Sequence, residues 1–270
     1  MDKQVSLSEA LDLIPKSGAR LAIGGVTLYR RPFSFCLGLI IKYKQTDAPG
    51  AIQLVNFTSG LESDLMVGAG MVSSIRTCYF GLESFGLAPQ FTKAASNGSL
   101  TIIEESESSL ANGLRASMAG VGFMPSVAWI GTDLPDLRPD VKQVVDPYSG
   151  EELTAFPAIE VDVAVLHALT ADPEGNAQIG GNKGVDVELA LVAEKVIITA
   201  EEIVPRLEKA DIIAPVVDAV VAAPNGAWPT SCHPNYPLDG QALLDYTDAA
   251  EPADYEALIS AWSDHLRLEL

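Results

Sequence analysis

The sequence predicts an α/β fold in which an open, mostly parallel sheet is covered by helices on both faces. Short apolar runs alternate with amphipathic segments along all 270 residues, and this alternation is typical of a parallel sheet that is buried on two sides. No apolar run reaches 18 residues, so we expect no membrane-spanning helix. A hydrophobic content of 48% with 22 Gly and 17 Pro excludes disordered and collagen-like chains.

The individual elements follow from local signals taken in chain order. Ser6-Leu-Ser-Glu9 has the pattern of a capping box, so a short helix is expected to open the chain. Pro32 suits the first turn of the next helix. The predicted strands cover residues 19–23, 52–57, 75–80, 100–103, 127–130, 161–167, 195–200 and 216–222. The predicted helices after the first cover residues 32–43, 63–68, 89–97, 109–119, 185–193 and 253–267.

Residues 134–154 interrupt this alternation. The stretch is polar and carries prolines at 135, 139 and 147, which disfavour helix and central strand alike. No internal repeat or low-complexity linker marks a domain boundary. We therefore expect one domain over residues 1–270, with 134–154 as an inserted loop or small subdomain.

Composition limits the partners and the chemistry. With 17 Lys and Arg against 36 Asp and Glu, the net charge is −19, and a chain this acidic is expected to bind neither nucleic acid nor a membrane surface. The three cysteines lack metal-site spacing and there are only three histidines, so we predict neither a disulfide framework nor a metal site. The first residues lack the basic and apolar pattern of a signal peptide, which makes a cytoplasmic location the expectation.

The strongest candidate site is the Gly24-Gly25 loop at the end of the first strand. Two glycines allow backbone N–H groups to approach a ligand closely, and the helix that begins near Pro32 favours an anion at its N-terminus. Arg30 and Arg31 add positive charge in a chain that has little of it. The pattern is not GxGxxG, and the alternative is that these glycines only form a turn.

Further candidates follow other strands. Glu104 directly follows an apolar run, and ligands of α/β folds bind beyond the carboxyl ends of strands. Glu105 and Glu107 are equally consistent with a solvated loop. Cys232 and His233 lie in a long loop with two prolines, but adjacent side chains normally point apart, so no catalytic dyad is expected there.

Taken in order, these motifs resemble the A (alpha) subunit of the family I CoA-transferases, in the glutaconate CoA-transferase group. The resemblance extends from about residue 6 to 260, and the ordered set is more specific than any one motif. It is carried by SLSEALDLIPKSGARLAIGGVTLYRRPFSF, SDLMVGAGMV, YFGLESFGLAPQF, GLRASMAGVGFMPSVAWIGTD, DPYSGEELTAFPAIEVDVAVLHALTADPEGNAQI, AEKVIITAEEIV and APNGAWPTSCHPNY.

The resemblance implies a fold, a reaction and a partner. It implies that coenzyme A thioester is the substrate, with no permanently bound cofactor, and that a B (beta) subunit completes a heterodimer or heterotetramer. In this family CoA passes between small acids through a glutamyl-CoA thioester on the B subunit. This chain then supplies one wall of the site. Its implied residues are Gly24 and Gly25 as an oxyanion loop, with Arg30, Ser59, Glu83, Phe85 and Gly86 against substrate or CoA.

Two alternatives stay open at the level of sequence. Relatives of this subunit also occur in CoA-thioester hydrolases and decarboxylases, where Glu104 would be the acid or base of this chain. Distant relatives of the fold are non-catalytic ligand-binding domains, which would be stable and functional without a partner. The deciding residue between transfer and the other reactions lies on the partner chain.

Overall fold

A computed structural model describes residues 2–249 and 252–270 of the chain. Its centre is a sheet whose main strand order is β11-β10-β8-β1-β2-β3-β4, and all neighbours along this path are parallel. A short strand, β9, adds to β8 in antiparallel orientation. The predicted α/β class with a mostly parallel sheet is therefore confirmed.

The strands of the central sheet are β1 (Arg20–Ile23), β2 (Ile52–Ser59), β3 (Val72–Phe80), β4 (Thr101–Glu104), β8 (Val163–Ala171), β9 (Ala177–Gln178), β10 (Lys195–Ile203) and β11 (Ala219–Ala222). The helices are α1 (Leu7–Leu11), α2 (Phe33–Thr46), α3 (Leu61–Gly68), α4 (Pro89–Asn97), α5 (Glu107–Met118), α6 (Leu134–Leu137), α7 (Asp186–Val192), α8 (Gly240–Asp248) and α9 (Pro252–His265). Among the described residues, no helix combines the length and the apolar character of a membrane span.

The apolar strands are continuous because both faces of the sheet are covered. One large core cluster joins α1, α2, α3, α8 and α9 to one face, and a second joins α5 and α7 to the other. Strand β1 lies at the middle, where Leu21 belongs to the first cluster and Ala22 to the second. The central position of β1 places the loop that follows it deep within the fold.

Residues 123–157 carry a small three-stranded antiparallel sheet with the order β5-β7-β6. Its strands are β5 (Phe123–Ser126), β6 (Lys142–Val145) and β7 (Glu152–Pro157). The region predicted as a loop or small subdomain, 134–154, thus supplies α6, β6 and the start of β7. The single-domain prediction for 1–270 stays a prediction, and residues 1, 250 and 251 of that range lie outside the described residues.

The prediction of a strand at 127–130 is wrong, since these residues form a turn after β5. Trp129 has a φ of 74°, which is incompatible with an extended strand. Its ring packs edge-on against Phe156 at 5.0 Å between centroids. Val127 and Ile130 are 68% and 49% exposed, so the apolar run reflects one buried ring flanked by surface residues.

The packing of α3, α4 and α8 depends on the carboxylate of Asp64. It accepts the N–H groups of Gln90 at 3.2 Å and Phe91 at 2.6 Å, in the first turn of α4. It also accepts the hydroxyl of Tyr246 on α8 at 2.7 Å. Burial raises the pKa of Asp64 to about 6, although these hydrogen bonds act in the opposite direction.

This raised pKa predicts a pH-dependent effect of Asp64→Asn on stability. The native state holds the Asp64 proton more tightly than the unfolded chain between the ordinary aspartate pKa of 3.8 and about 6. The contribution of Asp64 to the unfolding free energy therefore falls as pH rises through that window. Asp64→Asn should destabilise the chain less at about pH 7 than at about pH 4, as urea unfolding measures. Asp245→Asn, an exposed control on α8, should change the unfolding free energy little, as surface substitutions usually do. An identical penalty for Asp64→Asn at both pH values would contradict the prediction.

Candidate active site

The carboxyl ends of the central parallel strands form the candidate site. Parallel pairing brings the residues after β1, β2, β3 and β4 to one edge of the sheet. These are the Gly24-Gly25 loop, Ser59, the segment 81–86 and Glu104. Ligands of open α/β sheets bind at this edge, so the predicted residues lie together where a site is expected, and their role there stays a prediction.

The glycine loop is tightly enclosed. A Cβ on Gly24 would lie 2.5 Å from Leu166 Cδ2, and one on Gly25 would lie 2.6 Å from the carbonyl oxygens of Tyr29 and Arg30. Gly25 also has a φ of +87°. Both positions therefore require glycine, for close approach at the first and also for left-handed backbone at the second.

The amides of this loop are already bound within the chain. Gly24 donates its N–H to Val165 O at 2.9 Å, and Gly25 donates to both carboxylate oxygens of Asp186 at 3.0 and 3.1 Å. An oxyanion hole needs donors that point at the reacting oxygen. The expectation that the N–H groups of Gly24 and Gly25 are free donors is therefore wrong for this structure.

Arg30 is an interior residue, which corrects the expectation of a surface cation. Its side chain is fully buried and forms an ion pair with Asp186 at 2.8 Å. Its guanidinium also donates to the carbonyls of His167 at 2.7 Å and Asn182 at 3.2 Å. Because these groups surround it, Arg30 holds the glycine loop against β8 and α7 rather than presenting charge to a ligand.

A second buried ion pair lies on the other side of the loop. Arg31 donates to Glu62 Oε1 at 2.5 Å and to the carbonyl of Gly25 at 3.0 Å. Ser63 adds a hydrogen bond to the same Glu62 oxygen at 2.7 Å. Glu62 was missed in the sequence, where it appears as an ordinary first-turn acid of a helix.

Ser59 lies just beneath the surface of the edge. It is fully buried, receives an N–H of Asn56 at 3.1 Å and lies 3.3 Å from the hydroxyl of Thr77. The side-chain oxygen of Asn56 in turn accepts the N–H of Ile23 at 3.0 Å. Ser59 thus belongs to a polar layer that supports the ends of β1, β2 and β3.

The segment after β3 is the accessible part of the edge. Glu83 and Gly86 are exposed, and Phe85 is half-buried against the core. Glu83 has a φ of 54° and Gly86 a φ of 106°, and the Tyr79 hydroxyl accepts the N–H of Glu83 at 3.2 Å. This constrained turn leaves the Glu83 carboxylate in solvent.

Glu104 and Glu105 differ sharply although they are adjacent. Glu105 is buried between Arg76 and Arg138, and the Arg138 contact measures 2.8 Å. Glu104 is exposed at the end of the edge strand β4, and only its carbonyl is engaged, by Arg138 at 2.7 Å. Within the described residues, the Glu104 carboxylate has no ion pair, so it is the acid that a substrate or partner can reach.

A polar network centred on Glu201 was not found from the sequence. His167 on β8 contacts Thr199 Oγ1 through Nδ1 and Glu201 Oε1 through Nε2, both at 2.8 Å. Tyr236 donates to the same Glu201 oxygen, and the N–H of Asn225 donates to Oε2 at 2.6 Å. The network ties β8 and β10 to the loop 223–236, and the one signal for it was a histidine within an otherwise apolar strand.

The protonation states of this network follow from burial and hydrogen bonding. Burial lowers the pKa of His167, so the ring is neutral at pH 7. Burial opposes ionisation of Glu201, but hydrogen bonds from His167 and Tyr236 lower its pKa. Burial raises the pKa of Cys232 to about 12, which leaves a thiol rather than the nucleophilic thiolate. His233 is exposed, consistent with adjacent side chains that point apart.

Donor atoms of His167, Glu201 and Cys232 lie within 4.8 Å of one another, and these are residue types that bind zinc. Both ring nitrogens of His167 already have partners. The Arg30 guanidinium also donates to the His167 carbonyl, which adds positive charge beside the cluster. These residues therefore fit a hydrogen-bonded network better than a metal site.

Comparison with known proteins identifies the family of this chain. The family described as "Coenzyme A transferase" matches residues 5–223. The chain belongs to the coenzyme A transferase family. It is an A-type subunit, because it is 30% identical to the A subunit of glutaconate CoA-transferase from Acidaminococcus fermentans, over 97% of this chain and 88% of that one. It is 31% identical to the A subunit of 3-oxoadipate CoA-transferase from Pseudomonas knackmussii, over 98% and 93%.

Structural comparison agrees with the family assignment. The fold matches a crystal structure of the decarboxylase AibA/AibB with a TM-score of 0.89 and 30% identity, covering 98% of this chain and 100% of that one. The predicted family I CoA-transferase A subunit is thus confirmed. In this chain, the buried Arg30–Asp186 and Arg31–Glu62 pairs fix the loop after β1, while Glu83 and Glu104 are exposed.

Proposed function

We propose that this chain is the A subunit of a heteromeric CoA-transferase that moves CoA between small dicarboxylic or oxo acids. The observation that carries the proposal is the match over nearly the whole chain to two relatives named as transferase A subunits, for glutaconate and 3-oxoadipate. Both of those names specify a small acid with two carboxyl groups. The partner is a B subunit, in a heterodimer or heterotetramer.

The proposed reaction begins on the partner's nucleophilic glutamate. Its carboxylate attacks the acyl-CoA carbonyl, which forms a mixed anhydride and releases CoA thiolate. The thiolate then attacks the glutamyl carbonyl, releases the first acid as carboxylate and leaves a glutamyl-CoA thioester. The second acid repeats these two steps in reverse order, so the glutamate is regenerated. Each step develops an oxyanion that fixed donors would stabilise.

In that reaction, this chain contributes a rigid surface that lines one side of the active site. Gly24, Gly25 and Arg30 act by fixing the loop after β1, since their polar groups are bound internally. Ser59 supports the same edge through Asn56. Glu83, Phe85, Gly86 and Glu104 are the residues that we propose face acid, CoA or the partner. A fixed wall contributes because correct positioning removes entropy from the reaction barrier.

The experiment that tests the proposal is a CoA-exchange assay with purified components. This chain, its B subunit or a mixture of the two is incubated with glutaryl-CoA and free succinate, and succinyl-CoA is quantified. We expect succinyl-CoA only from the mixture. Succinyl-CoA from this chain alone would overturn the proposal that the nucleophile lies on the partner.

The decarboxylase relative supports a second candidate, in which Glu104 is an acid or base at the edge of β4. Glu104→Gln separates the two. For a transferase we expect a change in kcat/KM of less than about tenfold, because the partner supplies the nucleophile. For decarboxylation or hydrolysis through Glu104 we expect a loss of about 10²–10⁴-fold, the usual contribution of a general acid or base.

The matched control is Glu107→Gln, an exposed acid in the first turn of α5. It removes the same charge from the same region, so both candidate functions predict near-unchanged turnover for it. A loss of about 10²-fold or more for Glu104→Gln alone, with CoA release and no new thioester, would contradict the transferase proposal.

A further inference from the structure

A cleft of about 710 Å³ lies at the carboxyl end of β11, the edge strand at the opposite side of the sheet from β4. Its walls come from the segment before α1, the first turn of α2, residues 221–225 and the residues that follow α9. The polar and charged side chains that line it are Ser6, Ser34, Asn225, His265, Arg267 and Glu269. None of these six has a part in the proposed transfer reaction.

Ser34 is the unusual group in this cleft. It is 4% exposed, and its hydroxyl has no hydrogen-bond partner within the described chain. The backbone N–H of Ser34 donates to the carbonyl of Gly226 at 2.8 Å. A buried hydroxyl without a partner is destabilising, so an oxygen ligand in the cleft that accepts this hydrogen bond would be favoured.

The surroundings of Ser34 favour a negative ligand. Ser34 is the second residue of α2, a helix of 14 residues whose first turn has no side-chain cap. The N–H groups of Phe33 and Ser34 donate to backbone carbonyls, so the helix start contributes the partial positive charge of its dipole near the Ser34 hydroxyl rather than free donors. The exposed guanidinium of Arg267 also lines the cleft and has no ion pair among residues 2–249 and 252–270. Glu269 is the opposing charge on the same wall.

His265 adds a polar aromatic ring to the same side of the cleft. Its ring lies 4.1 Å from the ring of Trp228, in a tilted arrangement, and it lines the cleft beside Arg267. The chain has a net charge of −19, and Arg267 places an arginine without an ion pair among the described residues on this concave surface. Val5, Leu7 and Val221 add apolar surface to the other walls.

We propose that this cleft is an anion-binding site for a carboxylate or phosphate group. The Ser34 hydroxyl donates to an oxygen of the anion, the start of α2 faces it, and Arg267 provides the counter-charge. This chemistry is shared by short carboxylic acids and by phosphate esters, and the apolar walls accept the carbon skeleton of either.

The test is isothermal titration of the isolated chain with inorganic phosphate and, separately, with succinate at low ionic strength. We expect saturable binding of at least one probe, and the preferred probe identifies the source of the anion. Arg267→Gln should weaken that binding about tenfold or more, the loss typical of a charge-assisted hydrogen bond. Lys195→Gln removes an exposed charge at the start of β10 and should leave binding unchanged.

Ser34→Ala supplies an independent test, because it removes a hydroxyl that has no partner. It should weaken binding about fivefold or more while leaving the melting temperature unchanged or higher. Saturable binding that neither Arg267→Gln nor Ser34→Ala reduces would overturn the site, as would no saturation by either probe at about 10 mM. These readouts use no turnover, so the transferase proposal and the anion site can fail separately.

Discussion

Arg30→Ala is expected to destabilise the chain by about 3–5 kcal/mol in urea unfolding, the usual cost of breaking a buried ion pair. The substitution leaves the Asp186 carboxylate buried without its cation, although Gly25 still donates to it. It also removes the donors to the carbonyls of His167 and Asn182. The loop after β1 would then lose its anchor to β8 and α7.

The matched control for this prediction is Arg115→Ala. Arg115 is 56% exposed on α5 and lies 3.7 Å from Glu188, a geometry worth about 0–1 kcal/mol. A surface arginine at position 30 would behave like this control. A penalty below about 1 kcal/mol for Arg30→Ala would contradict the buried pair and restore the simpler view of Arg30 as a ligand-facing cation.

Gly25→Ala is the second change with a large expected effect. The new Cβ would lie 2.6 Å from two backbone carbonyl oxygens, those of Tyr29 and Arg30, and a φ of +87° disfavours alanine as well. The left-handed backbone alone costs about 1–2 kcal/mol. The steric conflict adds to that cost because backbone atoms cannot move aside as flexible side chains do. We expect a total loss of about 3 kcal/mol or more and little CoA exchange by the reconstituted complex.

Gly18→Ala separates the conformational cost of a left-handed backbone from the steric cost of the new Cβ. Gly18 has a φ of +71° but open space around its Cβ position, so it carries the conformational cost without the steric one. We expect a loss of about 1 kcal/mol and normal CoA exchange. Equal effects of Gly18→Ala and Gly25→Ala would mean that close packing of the glycine loop has no special role.

The alternation of strands and helices was predictable because each central strand is buried on both faces and therefore reads as an apolar run. The small antiparallel sheet was harder. Its strand β5 contains Pro125 and its strand β6 begins at Lys142, and neither has the apolar run that marks a central strand. The apolar run at 127–130 predicted a strand there instead, although among these four residues mainly Trp129 is buried.

The grouping of the candidate residues at one sheet edge was predictable, but their contacts were not. Strand ends predict that edge, whereas the carboxylate partner shared by Arg30 and Gly25 is Asp186 on α7, far along the chain. Only the folded structure shows that Asp186 accepts the amide that was expected to serve an oxyanion. The Glu201 network was missed for the same reason, since His167, Glu201 and Tyr236 come from three separate segments.

Trapping the covalent intermediate on the complex of this chain with its B subunit tests the proposed transfer most directly. The complex is incubated with an acyl-CoA, reduced with borohydride, and both chains are weighed by mass spectrometry. We predict a reduced glutamate on the B subunit, an unmodified mass for this chain, and transfer of CoA to an added acid. An adduct on this chain would contradict the proposed transfer. Consumption of acyl-CoA with neither a new thioester nor an adduct on the B subunit would contradict it as well.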